Sequence, residues 1–564
     1  MRRSAILFVL ATIGVTAAQT TGPAAPARAF SVVEATIADM RTAMAQGRTT
    51  SRELVRQSLE RIATFEPRLN AAISVNPRAL AEADERDRER RQRRLRGPLH
   101  GIPIALKDNI HTTDMPTTGG ALAFEGFIPP YEATLTKNLR AAGAIILAKT
   151  VLTELANFVA EGMPTNYSSL ASFGFNPYDP RRDPRVANFD GRPILAPGGS
   201  SSGIGTAASF WAANVGTETS GSILNPASQT MLAGIKPTVG RISRHGVIPI
   251  TADQDTPGPM ARTVADAAIV LGALEGASPD PNDAATRACM PPPNRDYTRF
   301  LRADGLRGAR IGIPRALYYD ALAAPAAATG SGGLNAARQS AMADAIAVLQ
   351  SAGATIVDPA DIPSVVSADT AQSLPRWGIC SSLAAAKGRD QNCSIVLKYG
   401  MKRDFNAWLA SLGTAAPVRT LTELREWNRS HERAGTLKYG QALLDISDEI
   451  DLESDRARYL ADREKDLQLT SRDGIDATLR AHKLDALLFP GPTGAAIAAR
   501  PGYPSVIVPF AMVPNELQGL PAGFNPKPVP FGVTFTGTAC SEPRLIELAY
   551  AFEQRTKRRI PPQM

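Results

Sequence analysis

Short runs of unbroken apolar residues, set between stretches of helical periodicity, constrain this chain most. They are residues 102–106, 144–148, 486–490 and 505–509. A strand with one wet face alternates apolar and polar residues, whereas a strand that is apolar throughout is buried on both faces. Ile37, Met40 and Met44, then Leu54, Leu59 and Ile62, recur at helical spacing between residues 31 and 96. Residues 134–142 and 543–558 read as helices, and 205–213 as a helix of small residues that packs close to its neighbours. Residues 309–313 and 530–536 read as further strands. Helices alternating with doubly buried strands predict an α/β fold, a sheet covered by helices on both faces.

The chain has 564 residues, 44% of them hydrophobic and 21% charged, which excludes global disorder. The formal net charge is +8, and residues 86–96 supply much of the basic excess. Asp and Glu are interleaved in that run and aromatic residues are not. It therefore reads as the solvated face of a helix rather than a nucleic-acid surface. Four cysteines, Cys289, Cys380, Cys393 and Cys540, show no zinc-site spacing. In an oxidising compartment Cys380 and Cys393 can pair; the alternative is four separate thiols. Five histidines, none in a paired metal-binding arrangement, disfavour metal catalysis.

Met1-Arg2-Arg3 followed by the apolar stretch 5–18 and small residues reads as a signal peptide within residues 1–29, cleaved after Ala18 or after Ala29. An uncleaved N-terminal anchor is the alternative. No other apolar stretch is long enough to span a bilayer, so the expectation is an exported protein, periplasmic or extracellular, with no stable membrane span after cleavage. Composition shifts at 291–482, which reads as a variable insertion or cap, with an Ala/Gly linker at 323–333.

The chemistry-bearing residues are a lysine and a serine-rich loop. Lys107 ends the apolar run 102–106, where burial disfavours the charged ammonium and makes the amine a base. The competing reading is a strand-end lysine paired with Asp108. Ser200, Ser201 and Ser202 follow Pro197-Gly-Gly, and Ser222 ends Gly216-Thr-Glu-Thr-Ser-Gly. A serine hydroxyl needs a neighbouring base to become a nucleophile. Glycine-rich backbone next to Ser222 can point N–H groups at an oxyanion. Taken singly, each stretch also reads as a plain turn. A phosphate cradle at 203–208 matches its pattern only loosely, since no strand precedes it and no Lys-Ser/Thr follows.

In combination and order these stretches closely resemble the amidase signature family of serine hydrolases, bacterial peptide-amidase-like members above all. The matching stretches are Gly-Ile-Pro-Ile-Ala-Leu-Lys107-Asp-Asn, Pro-Gly-Gly-Ser200-Ser-Ser-Gly, Gly-Thr-Glu-Thr-Ser-Gly-Ser222-Ile and Gly234-Ile-Lys-Pro-Thr-Val-Gly-Arg241. The resemblance implies the amidase signature fold: a large mixed β-sheet core under helices, in a single domain over 30–564 whose signature core is 97–265. It implies hydrolysis of a carboxamide C–N bond by a Ser-cis-Ser-Lys triad, with no cofactor and a small-molecule or peptide amide as substrate. Lys107 would be the base. Ser200 would be the bridging serine, next to a cis peptide bond, and Ser222 the nucleophile. The N–H groups of Thr219, Ser220, Gly221 and Ser222 would form the oxyanion hole, with Ser202 as a supporting partner. The spacing from Ser200 to Ser222 is two residues shorter than the family's, which leaves Ser201 as a second candidate for the bridge. An amidotransferase of the A type, an esterase and an inactive binding protein on the same fold are the alternatives.

Overall fold

The computed structural model describes residues 30–322 and 331–564. The expected signal peptide, and all but the end of the expected linker at 323–333, lie outside them. Eleven strands form one sheet. In chain order they are β1 (Ala72–Val75), β2 (Pro103–Lys107), β3 (Ile145–Thr150), β4 (Ala213–Glu218), β5 (Ala233–Lys236) and β6 (Thr256–Ala261), then β7 (Arg310–Gly312), β8 (Thr355–Val357), β9 (Ala486–Pro490), β10 (Ser505–Val513) and β11 (Val529–Thr536). Their spatial order is β1-β3-β2-β4-β6-β5-β10-β11-β9-β7-β8. The sheet is mixed: β3, β2 and β4 run parallel, β4, β6, β5, β10, β11 and β9 pair antiparallel, and β9, β7 and β8 run parallel again.

Successive residues of one strand enter different cores. Ile104 and Leu106 of β2 pack with Ile37, Met40, Leu135, Leu139 and the helix Val264–Leu274. Ala105, with Ile145 and Leu147 of β3, packs with Val55 and Ile62 of the helix Ser51–Leu69 and Ala83 of the helix Ala79–Arg91. Helices therefore cover both faces, as the unbroken apolar runs require. Within the basic run, Arg86 is buried between Glu85 and Glu89, at 2.7 Å from each. No helix among the described residues is long and apolar enough to cross a membrane.

Two expectations need correction. The helix at 205–213 is only Ile204–Ala207. Ser209 turns left-handed at φ +58°, and the Trp211 ring lies against Gly205, where a Cβ would sit 2.1 Å from it. Ala213 then opens β4. The stretch 291–482 is not wholly a cap. It supplies β7 and β8 to one edge of the sheet, because Ile311 runs parallel to Ala486 and Ile356. Its later helices Val396–Ser411 and Leu421–Ser430 pack Phe405, Trp408 and Leu424 against Phe124, Phe158 and Tyr167, a second apolar core beside the sheet.

Cys380 pairs with Cys393, and Cys289 with Cys540. Closing the second loop, 251 residues apart in sequence, restricts the unfolded chain far more than closing the first, 13 apart. In the chain-entropy picture the two contribute on the order of 5 and 3 kcal/mol. Dithiothreitol is expected to lower the thermal unfolding midpoint by several degrees. Unchanged midpoints in protein whose thiols have become titratable would oppose this.

Candidate active site

The site forms at the carboxyl ends of β2 and β4, where parallel strands leave their last residues facing an opening. Their register pairs Leu106 with Val215, which brings Lys107 level with the end of β4. Lys107 is fully buried and does not pair with Asp108. Asp108 instead meets Lys149, also buried, at 3.1 Å, and accepts from Thr118. Lys107 Nζ has three neighbours: Ser200 Oγ at 3.0 Å, Thr217 Oγ1 at 2.9 Å and the Thr217 carbonyl at 3.3 Å. Burial pushes the ammonium down to about 7, against the pull of Asp255 and Glu218. A neutral amine has two N–H bonds and one lone pair. Thr217 offers two acceptors, which leaves the lone pair for Ser200. Asn109 Nδ2 donates to Thr217 Oγ1 at 3.0 Å and keeps that oxygen in place.

Ser200 Oγ lies 2.8 Å from Ser222 Oγ. Lys107, Ser200 and Ser222 thus form one chain of hydrogen bonds, from a buried base to a half-buried hydroxyl at the cleft. Ser201 is not an alternative bridge. Its hydroxyl is used by β4, donating to the Thr217 carbonyl at 3.0 Å and accepting the Thr217 N–H at 3.2 Å. The Ser200–Ser222 contact is made across the 22 positions that separate the two serines in this chain.

Two expectations about this loop do not hold. The peptide bonds around Ser200 are trans; the cis bond among the described residues is Asp358–Pro359. Gly198 and Gly199, at φ +84° and +53°, turn the loop without the cost of a non-proline cis bond. The second of these must be glycine for space as well, since a Cβ there would lie 2.6 Å from Pro226 Cδ and 3.2 Å from Ser222 Cα. Ser202 does not support the chain either. Its hydroxyl accepts from Ile204 N at 3.4 Å and its carbonyl from Asn214 Nδ2 at 3.0 Å, both local to the turn.

Thr219, Ser220, Gly221 and Ser222 form the bend between β4 and the helix Leu224–Gln229. Gly221 has φ +96°, a conformation side chains rarely adopt. Among the described residues no carbonyl or side chain accepts the N–H of Ser220, Gly221 or Ser222. Two buried carboxylates hold the bend. Glu218 accepts from Ile223 N at 2.6 Å and Leu224 N at 2.9 Å, fixing the helix start behind Ser222. Asp255 accepts from Thr219 Oγ1 at 2.5 Å and from the N–H groups of Ile250 and Thr251. Burial pushes the Asp255 carboxyl up to about 6, against those hydrogen bonds. No group of three or more His, Cys, Asp or Glu among the described residues is placed to hold a metal ion.

The sequence does not single out Thr217, Asn109, Glu218 or Asp255. Thr217, Glu218 and Asn109 lie inside the stretches that carry the serines and the lysine, so the motifs mark their neighbourhood and not their roles. Asp255 precedes β6 and carries no local signal.

Residues 53–546 match the family model described as Amidase. A probable amidase of Arabidopsis thaliana is 35% identical over 544 residues, 95% of this chain and 92% of its own length. The A-type component of a Myxococcus xanthus glutamyl-tRNA(Gln) amidotransferase is 31% identical over 548 residues, 93% of this chain and 97% of its own length. Among solved structures, the native peptide amidase of Stenotrophomonas maltophilia superposes with a TM-score of 0.78 at 38% identity, over 94% of this chain and 98% of that one.

Proposed function

This chain belongs to the amidase family and is an amide-hydrolysing enzyme, and from that premise we propose that it works through an acyl-enzyme on Ser222. The observation that carries the proposal is the hydrogen-bonded chain Lys107–Ser200–Ser222, with steps of 3.0 and 2.8 Å. Ser222 Oγ attacks the amide carbonyl carbon as its proton passes to Ser200 Oγ, and the proton of Ser200 passes to Lys107 Nζ. The carbonyl oxygen gathers negative charge and takes hydrogen bonds from the N–H groups of the bend Thr219, Ser220, Gly221 and Ser222, which the Thr219 hydroxyl anchors to Asp255. The proton returns along the same chain to the leaving nitrogen. The C–N bond breaks, and ammonia or an amine departs. Water then gives its proton to the relay, attacks the acyl-enzyme, and releases the acid with Ser222 restored. The balance of protons closes without a cofactor.

The substrate class we propose is a small or peptide amide, supported by the likeness to the peptide amidase over nearly the whole chain. We propose further that the protein is exported, periplasmic or extracellular. The n-region and apolar stretch at the start of the sequence support this, as do two disulfides of a kind that persists in oxidising compartments.

Incubation of the purified chain alone with C-terminally amidated peptides, simple primary amides and matched esters is the test. Equimolar ammonia and acid are expected from one or more amides. Turnover of esters only would sink amide hydrolysis by this site. Activity appearing only with added amidotransferase partner chains would move the protein to the amidotransferase reading.

A further inference from the structure

We propose that Asn166, together with Thr153, is the positioning residue of the relay: it holds the backbone that carries Ser200, touching neither substrate nor the reacting atoms. The proposal rests on the Lys107–Ser200–Ser222 reading.

The loop 198–201 has glycine at two of its four positions, both left-handed. Such backbone is intrinsically mobile, yet Ser200 Oγ must stand between two partners at once. All four carbonyls of the loop are held, and from one place. Asn166 Nδ2 lies 3.1 Å from the Gly198 carbonyl, 3.1 Å from that of Gly199 and 3.4 Å from that of Ser201. The Thr153 N–H donates to the Ser200 carbonyl at 3.1 Å, and Thr153 Oγ1 to that of Gly199 at 3.2 Å. The clamp is itself tied, because the Asn166 N–H donates to Thr153 Oγ1 at 2.7 Å. With every carbonyl direction set, the Cα–Cβ bond of Ser200 has one direction left, toward Lys107 and Ser222.

The chemistry demands an amide at 166. Three carbonyl oxygens converge on one NH2 group, an arrangement only a donor tolerates, and this also fixes which end of the amide faces the loop. Asn166 is wholly buried and holds a left-handed φ of +60°, which asparagine adopts more readily than other side chains. Its Oδ1 is buried without a partner among the described residues. A residue kept there for packing alone would be apolar, because an orphaned buried oxygen is costly. A carboxylate would set negative charge against three carbonyls.

The test compares Asn166→Ala, Asn166→Asp, Thr153→Val and Thr153→Ser with the wild type, reading kcat and KM separately on one amide substrate, with thermal unfolding of each. A shift of about 1 Å in a catalytic group costs about 10²-fold in rate. Both Asn166 variants and Thr153→Val are expected to lose about 10²-fold in kcat, with KM within about twofold and cooperative unfolding retained. Thr153→Ser, which keeps the hydroxyl, is expected to recover to within a few-fold. Full kcat in Asn166→Ala overturns the proposal. So does a loss in Thr153→Ser equal to that in Thr153→Val, which would mark the site as packing. Failure of the relay reading shows itself differently: Ser222→Ala would then keep its turnover, whatever the Asn166 variants do.

Discussion

Ser222→Ala is expected to lower kcat by about 10⁴-fold or more while KM and thermal stability stay near those of the parent. The side chain is half-buried at the cleft and its hydroxyl bonds to Ser200, so its removal opens no large cavity. What disappears is the atom proposed to form the acyl bond. The N–H groups of the bend remain, and they sustain whatever residual rate transition-state binding alone provides. Ser200→Ala is expected to cost less, about 10²- to 10⁴-fold, because it removes proton transfer and leaves the nucleophile. Steady-state kinetics on one amide, with unfolding curves for each variant, checks both. A Ser222→Ala enzyme within tenfold of the parent would contradict the assignment.

The second large effect is in pH. As the proposed base, Lys107 acts only as the free amine, since the ammonium has no lone pair for the Ser200 proton. With its proton lost near 7, kcat/KM is expected to rise from pH 6 to pH 8 and then level. An ordinary lysine would put that rise more than three units higher. Asp255, protonated below about 6, weakens its hold on the Thr219 bend over the same acid side. The acid limb therefore carries two protonations and is steeper than one alone. Lys107→Met keeps the volume and removes the base. It is expected to cost about 10³-fold and to flatten the limb near pH 7. Asp255→Asn, by contrast, keeps the side-chain shape but removes a negative charge that favours the Lys107 ammonium, so the Lys107 rise should persist and move to lower pH. A Lys107→Met enzyme with the parental pH profile would show that the rise belongs to another group.

How far the fold is legible depends on burial. β2, β3, β9, β10 and β11 are apolar through most of their length, because both faces are covered, and such runs announce themselves. β4 does not, and its start reads as the end of a helix. Its polar residues belong to the site: Asn214 holds the Ser202 turn, Thr217 holds Lys107, and Glu218 caps the helix after Ser222. β6 carries Pro257, Gly258 and Pro259, a pattern that argues against a strand. It stands because β5 pairs only with its last two residues, Met260 and Ala261, so the prolines face a neighbour on one side.

The site is legible as motifs and not as geometry. Lys107, Ser200 and Ser222 are brought together across 93 and 22 positions as the resemblance implies. Ser202 and the cis bond, taken from the same resemblance, are not part of this arrangement. Thr153, Asn166 and Asp255 act through contacts that exist only once strands and loops are packed, and nothing in their local sequence marks them. The Cys289–Cys540 pair, so far apart in the chain, is of the same kind.

The most direct measurement is covalent. A fluorophosphonate forms a stable adduct with a serine that a base has activated, and peptide mass mapping locates it. Labelling is to be followed as a function of pH in the parent and in Lys107→Met. The account predicts a single adduct, on Ser222, forming at a rate that rises with a midpoint near pH 7 and falls by about 10³-fold in the variant. An adduct on another serine, or labelling of Ser222 indifferent to the loss of Lys107, would contradict it.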